Sequence, residues 1–189
     1  MTASPQTQPH LSPQLAELSK EFEACSERAR QMFAAQDESA LRQRPPKGGW
    51  SVVECVDHLR LTTGEYEAIF QDGFSRAQNG SEPYKRDFKG RFLAWIMEPP
   101  YRMGVKTRPG FEPANLGSAQ QVLDAFLESQ KVMFERLERA NGLALDRTLV
   151  ESPFKKDFFY NMYSLFHILA AHQRRHLWQA EQALKAIRK

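Results

Sequence analysis

Long hydrophobic runs are missing from this sequence. The uninterrupted apolar stretches are only a few residues each, far short of the roughly 20 that a membrane-spanning helix needs. A membrane partner is therefore not expected. The opening segment Met1–His10 is polar and has no apolar core of the kind a secretion signal carries. Residues 1–10 read instead as a flexible tail. Cysteine is scarce, with only Cys25 and Cys55 in 189 residues. Both fall on apolar helix faces and read as buried free thiols. Nothing suggests an oxidising compartment, and the cytoplasm is the expected location. A dominant charge is missing too. The formal net charge is +3, too small to argue for nucleic acid, which calls for a basic face or stripe. There is no glycine-rich phosphate cradle, no internal repeat at solenoid periods, and no segment with convincing strand alternation.

What the sequence does have is helix periodicity. Ser12-Pro13 reads as a cap followed by proline at the first helical position. Leu11, Leu15, Leu18, Phe22, Cys25, Ala29 and Met32 then recur every three or four residues, which predicts a first helix ending near Gln36. Arg44-Pro45-Pro46-Lys47-Gly48-Gly49 is a breaker. Ser51-Val52-Val53-Glu54 after it is a capping box, with Trp50 in the hydrophobic-staple position. It starts a second helix predicted to reach about Gln78, with Cys55, His58, Leu59, Thr62, Tyr66, Ile69, Phe70 and Phe74 facing inward. A second box, Ser118-Ala119-Gln120-Gln121, starts a third helix that Asn141-Gly142 ends. A connector with Pro153 leads to a fourth helix from about Asn161 to Ile187, whose inward stripe is Leu165, Leu169, His172, His176, Gln179, Ala183 and Ile187. The fold class expected is all-α, a four-helix bundle with a long crossover insertion at 80–117 between helices two and three. Within that insertion a short helix over Asp87–Met97 is expected, with Phe88, Phe92, Trp95 and Ile96 as its apolar face. Residues 11–189 form one domain on this reading. Segments this long without regular structure often serve as lids.

The chemistry sits in the histidines. His172 and His176 are four residues apart, so they return to nearly the same side of the helix, one above the other. Both lie on the core-facing stripe of the last helix, and His58 lies on that of the second. Facing positions of a bundle meet along its axis, so three imidazoles would converge in an apolar interior. Two readings stay open on spacing alone. Each histidine is separately hydrogen-bonded at a helix interface, or the three share a divalent cation and leave a position open for water or substrate, as at catalytic zinc sites. His167 is nine residues before His176, about half a turn around the helix, and reads as a packing or surface residue. Glu54 lies one turn before His58 and either caps the helix, the favoured role, or orients His58 or acts as a base. Gln179 could hold His176 in place or be simply solvated. Asp57 is expected to face solvent. Tyr66 lies two turns beyond His58 and is a core aromatic or lines a pocket mouth. Some chemistries are excluded. The His-x-x-x-His spacing matches a zincin protease, but Gln173 replaces the glutamate base that such an enzyme needs. The Glu-x-x-His pairs of a di-iron carboxylate bundle do not occur.

Two segments resemble the DinB-like (DinB/YfiT-like) superfamily. Gly49-Trp50-Ser51-Val52-Val53-Glu54-Cys55-Val56-Asp57-His58-Leu59 is similar to the family's start of the second helix. Ala171-His172-Gln173-Arg174-Arg175-His176-Leu177-Trp178-Gln179 is similar to its signature in the last long helix. The resemblance implies a four-helix bundle with a three-histidine site for zinc, nickel or iron, at His58, His172 and His176. It implies a homodimer in many members. It also implies, for some, a thiol-dependent S-transferase or isomerase activity that uses a low-molecular-weight thiol as cosubstrate. It supplies no general base, so the catalytic residues stay unknown, with Glu54 and Gln179 as candidates to support the ligands. The function expected is that of a metal-binding enzyme acting on a small-molecule substrate. The alternatives are a non-catalytic metal-binding protein or a helical interaction module. The insertion holds seven basic residues (Lys85, Arg86, Lys89, Arg91, Arg102, Lys106, Arg108) against four acidic ones (Glu82, Asp87, Glu98, Glu112). Folded over the metal, it would attract an anionic thiol or carboxylate; a solvated loop is the preferred reading.

Overall fold

The computed structural model describes residues 11–100, 111–114 and 116–188. The expected tail at 1–10 and the basic residues Arg102, Lys106 and Arg108 of the insertion lie outside the described residues.

Helix α1 spans Pro13–Ala34. Proline leads it as expected, but Ser12 makes no side-chain cap. Its hydroxyl donates instead to Glu82 Oε1 at 2.7 Å, which ties the helix start to the insertion. A short helix α2, Glu38–Arg42, follows, capped by Asp37 accepting from the Ala40 amide at 2.8 Å. The breaker then turns the chain through Gly48 and Gly49, whose φ angles of 86° and 108° are the left-handed region that glycine tolerates without penalty. Helix α3, Val52–Glu65, begins with both halves of the predicted capping box.

The second helix is bent rather than straight. It divides at Tyr66 into α3 and α4, Glu67–Arg76. Just before the bend, the Thr62 and Thr63 hydroxyls donate to the carbonyls of His58 and Leu59 at 2.8 and 3.1 Å. Side-chain bonding of this kind, back to the residue four earlier, bends helices.

Helix α5, Phe88–Met97, falls where expected, with Asp87 as its cap. Its orientation corrects the sequence reading. Of the four residues assigned to its apolar face only Ile96 is buried, while Phe88, Phe92 and Trp95 are 83%, 48% and 54% exposed. The buried positions are Gly90, Ala94 and Ile96. Small residues win the contact because α5 crosses α7 very closely. A Cβ placed on Gly90 would lie 2.1 Å from Ser164 Cβ.

Helix α6, Ala119–Ala140, starts with the second capping box. The sequence pattern predicts no strand in the connector after it. It holds two, β1 (Leu149–Glu151) and β2 (Phe159–Asn161), paired antiparallel with Val150 opposite Tyr160. Three-residue strands are too short to show alternation, and this explains the miss. Helix α7, Met162–Ile187, is capped by Asn161, which accepts from the Ser164 amide at 2.8 Å.

The long helices form the expected all-α arrangement. Helices α1 and α3 each pack against both α6 and α7, and α5 lies along α7. The apolar core divides in two. One cluster gathers Phe22, Phe70, Met133, Phe166 and Leu169, and the other Cys25, Val56, Leu59, Phe126 and Leu177. Between them runs a polar layer. The Gln130 and Gln173 amides exchange hydrogen bonds of 3.0 and 2.7 Å, and Gln130 also donates to Ser26 Oγ at 2.9 Å. All three side chains are buried, and all are partnered, as buried polar groups must be.

The close crossing at Gly90 gives the first prediction. Gly90→Ala should destabilise the protein by about 1–3 kcal/mol through overpacking against Ser164, a loss that chemical denaturation measures. Unchanged stability would mean that α5 does not sit this tightly on α7.

Candidate metal centre

Two helices deliver the histidines. The capping box fixes the start of α3, and His58 follows seven residues after Ser51, about 10 Å along the axis at the usual helical rise. Helix α7 carries His172 and His176 one turn apart, on the side that faces α3. His58 and His176 are buried, and His172 is half-buried.

The three rings meet. Their centroids are 5.1 Å apart for His58–His172, 4.4 Å for His58–His176 and 4.5 Å for His172–His176. Nε2 of His58 and Nε2 of His172 are 3.2 Å apart. Nitrogens sharing a tetrahedral zinc ion, with bonds of about 2.0–2.1 Å, would be roughly 3.3 Å apart. One nitrogen from each ring can be chosen so that all three lie within 4.8 Å of one another. Among the described residues this is the one group of three or more metal-ligating side chains.

The protonation state suits coordination. Burial pushes the His58 imidazole below its ordinary pKa, against the opposing pull of the Phe111 carbonyl and of Asp57. Burial and then the neighbouring imidazoles push His172 and His176 well below theirs. The rings are neutral at pH 7, so each has one nitrogen with a free lone pair. Two of the outer nitrogens face acceptors. His58 Nδ1 lies 2.7 Å from the carbonyl oxygen of Phe111, and His176 Nδ1 lies 3.0 Å from Oε1 of Gln179. A proton on each Nδ1 leaves the Nε2 lone pairs free, and such outer acceptors are the usual support of metal-bound histidines. The donor set therefore fits a divalent transition metal. Trp50 closes one side, its ring centroid 4.9 Å from His58 and 5.8 Å from His176.

The other candidates fall in place around this centre. Gln179 is at His176, as described. The Glu54 carboxylate serves the cap, accepting from the Ser51 amide at 2.8 Å and the Ser51 hydroxyl at 2.9 Å, and it pairs with Arg44 Nε at 2.9 Å. Burial works to raise its pKa, but Arg44 and the Ser51 bonds outweigh it and hold the carboxyl below its usual range. His167 is not part of the cluster. It packs edge-on to Tyr163 at 4.8 Å, and burial, with Arg86 and Arg174 nearby, lowers its pKa to about 4. Asp57 corrects the sequence reading. It is 4% exposed rather than solvated, bonded to Arg60 at 2.7 Å in a cleft shared with Ala114, Leu116 and Val122. Ala114, Leu116 and Gly117 lie over a face of α3 that sequence periodicity assigned to water. Tyr66 is buried in the apolar core. Cys25 and Cys55 are free and buried, and burial raises both thiols, Cys25 to about 11, so neither is a ready nucleophile.

Two site features were not readable in advance. The Phe111 carbonyl is a main-chain group in an irregular segment, and no side-chain pattern announces it. The sequence marks Trp50 only as a staple, at the entrance of the helix and about two turns before His58.

Helix order, paired capping boxes and converging histidines define a mostly helical protein with a three-histidine cluster in its interior. The chain belongs to the DinB superfamily, whose sequence model matches residues 21–180. Neither a curated protein nor a solved structure matches it. Among the described residues no helix is long and apolar enough to cross a membrane.

The depressed histidine pKa values set a pH dependence. The groups are neutral when folded and titrate near 6.5 when unfolded. The unfolded chain therefore binds protons first, and stability present above about pH 6.5 is lost as pH falls toward the folded values, about 4 for His167. The melting temperature of metal-free protein should fall between pH 7 and pH 5, before most carboxylates titrate. A flat profile over that interval in scanning calorimetry would contradict the assigned neutral state.

Proposed function

We propose that this protein binds one divalent transition metal (zinc, nickel or iron) through His58, His172 and His176, and that it is an enzyme transferring a low-molecular-weight thiol to a small electrophile. The convergence of three imidazoles, two of them with an acceptor at the outer nitrogen, is the observation that carries the first half. Three protein ligands leave a position open, the pattern of catalytic rather than structural sites. A bound cation would supply Lewis acidity, lowering the pKa of a coordinated thiol so that the thiolate is present at neutral pH.

The chain's own groups do the rest. His58 and His176 are oriented by the Phe111 carbonyl and Gln179. Trp50 packs against the rings of His58 and His176. In the transfer, the thiol proton leaves to solvent, a carbon–sulfur bond forms, and the bond from carbon to its leaving group breaks. The second half of the proposal is supported by the position that a three-ligand set would leave open and by the family resemblance. A non-catalytic metal-binding protein and a metal-free helical interaction module are the competing readings.

Elemental analysis of purified protein should give about one transition metal per chain. His58→Ala and His176→Ala should each lower retention at least tenfold, in line with the loss of one of three ligands. Metal-loaded protein should consume a small thiol in the presence of a halogenated aromatic, and chelator should stop it. A protein that binds no metal is the interaction module. One that binds metal tightly but turns over no thiol with any electrophile is the non-catalytic binder.

A further inference from the structure

We propose that Phe111 is a positioning residue for the histidine centre: its ring anchors an otherwise irregular segment, so that its own carbonyl holds His58 in the tautomer whose Nε2 faces the α7 histidines. The consequence for metal affinity rests on the metal-binding reading above; the geometry does not.

No helix or strand holds residues 111–114. Within them Phe111 is the one buried side chain, 8% exposed, while Glu112 and Ala114 are exposed and Pro113 is half-buried. The ring lies 5.3 Å from that of Phe154, in the turn between β1 and β2, and Phe154 in turn lies 6.4 Å from Tyr66. The anchor thus joins the insertion to the hairpin and to the bend between α3 and α4. The carbonyl of the same residue meets His58 Nδ1 at 2.7 Å. Ring and carbonyl belong to one residue, so withdrawing the ring moves the acceptor.

A neutral imidazole without an outer acceptor populates both tautomers, and in one of them a proton occupies Nε2 and blocks coordination. An acceptor at Nδ1 removes that competition. His176 gets its acceptor from the Gln179 side chain. His58 gets one from the main chain, so its orientation depends on an apolar ring instead of a polar side chain. Loss of such an outer partner costs 10- to 100-fold in metal affinity in characterised sites.

The test compares the full-length protein with Phe111→Ala, Phe111→Leu and Phe154→Ala. Imidazole nitrogen NMR shifts in metal-free protein report the His58 tautomer, and competition with a chromophoric chelator reports the zinc dissociation constant. The expected result is Nδ1-protonated His58 in the parent protein and in Phe111→Leu. Phe111→Ala should give mixed tautomers and zinc binding roughly 10- to 100-fold weaker. Phe154 is 39% exposed, so Phe154→Ala keeps the fold and should shift tautomer and affinity in the same direction by a smaller factor. If Phe111→Ala does not fold, Phe154→Ala decides. Unchanged tautomer and affinity in the folded variants would overturn the proposal, as would zinc loss that only tracks unfolding. A parent protein that takes up no zinc, while its His58 tautomer still responds to Phe111→Ala, would sink the metal reading and leave the positioning role standing.

Discussion

The structure depends on how a helical interior tolerates polar groups at mid-height. Each buried imidazole or amide must find a partner or pay for its lost hydration. Helix α7 meets this demand on two sides at once. Gln173 turns toward α1 and α6 and joins Gln130 and Ser26, while His172 and His176 turn toward His58. The layer separates two apolar clusters and fixes how the helices slide past one another. Shifting α7 by one turn would set imidazoles against leucines and strand both amides. A buried polar layer of this kind selects register more than it adds stability.

That requirement explains features far from the histidines. His58 reaches the layer only if α3 starts at one defined residue. The start is held by the Ser51–Glu54 box, by Arg44 on the Glu54 carboxylate, and by the glycine pair that brings the chain around to Trp50. Glu54 is four residues from His58 and looks like a catalytic base in one dimension. In three dimensions its oxygens are committed to the cap, and its contribution to the site is to fix where the helix begins.

Much of this was legible in the sequence. The capping boxes, the breaker, the inward stripes and the His172/His176 spacing are local signals, and they placed the long helices and the residues that meet in the middle. The failures share a cause. The face of α5 was assigned by hydrophobicity, yet close approach to Ser164 selected Gly90 and Ala94 and left Phe88 and Phe92 outside. Asp57 was assigned to solvent by periodicity, yet an irregular segment covers it. The Phe111 carbonyl carries no side-chain signature. Each was decided by a contact between distant parts of the chain, which periodicity within one helix does not encode.

The ligand candidates come from helices far apart in sequence: His58 and His172 are 114 positions apart. No single helix contains the site. During synthesis, at about 5–20 residues per second, the first histidine is exposed for several seconds before its companions exist. The centre can form only after α7 has left the ribosome and docked. Any ion it takes up must therefore arrive at a nearly finished protein, and its presence would report that the whole bundle has closed.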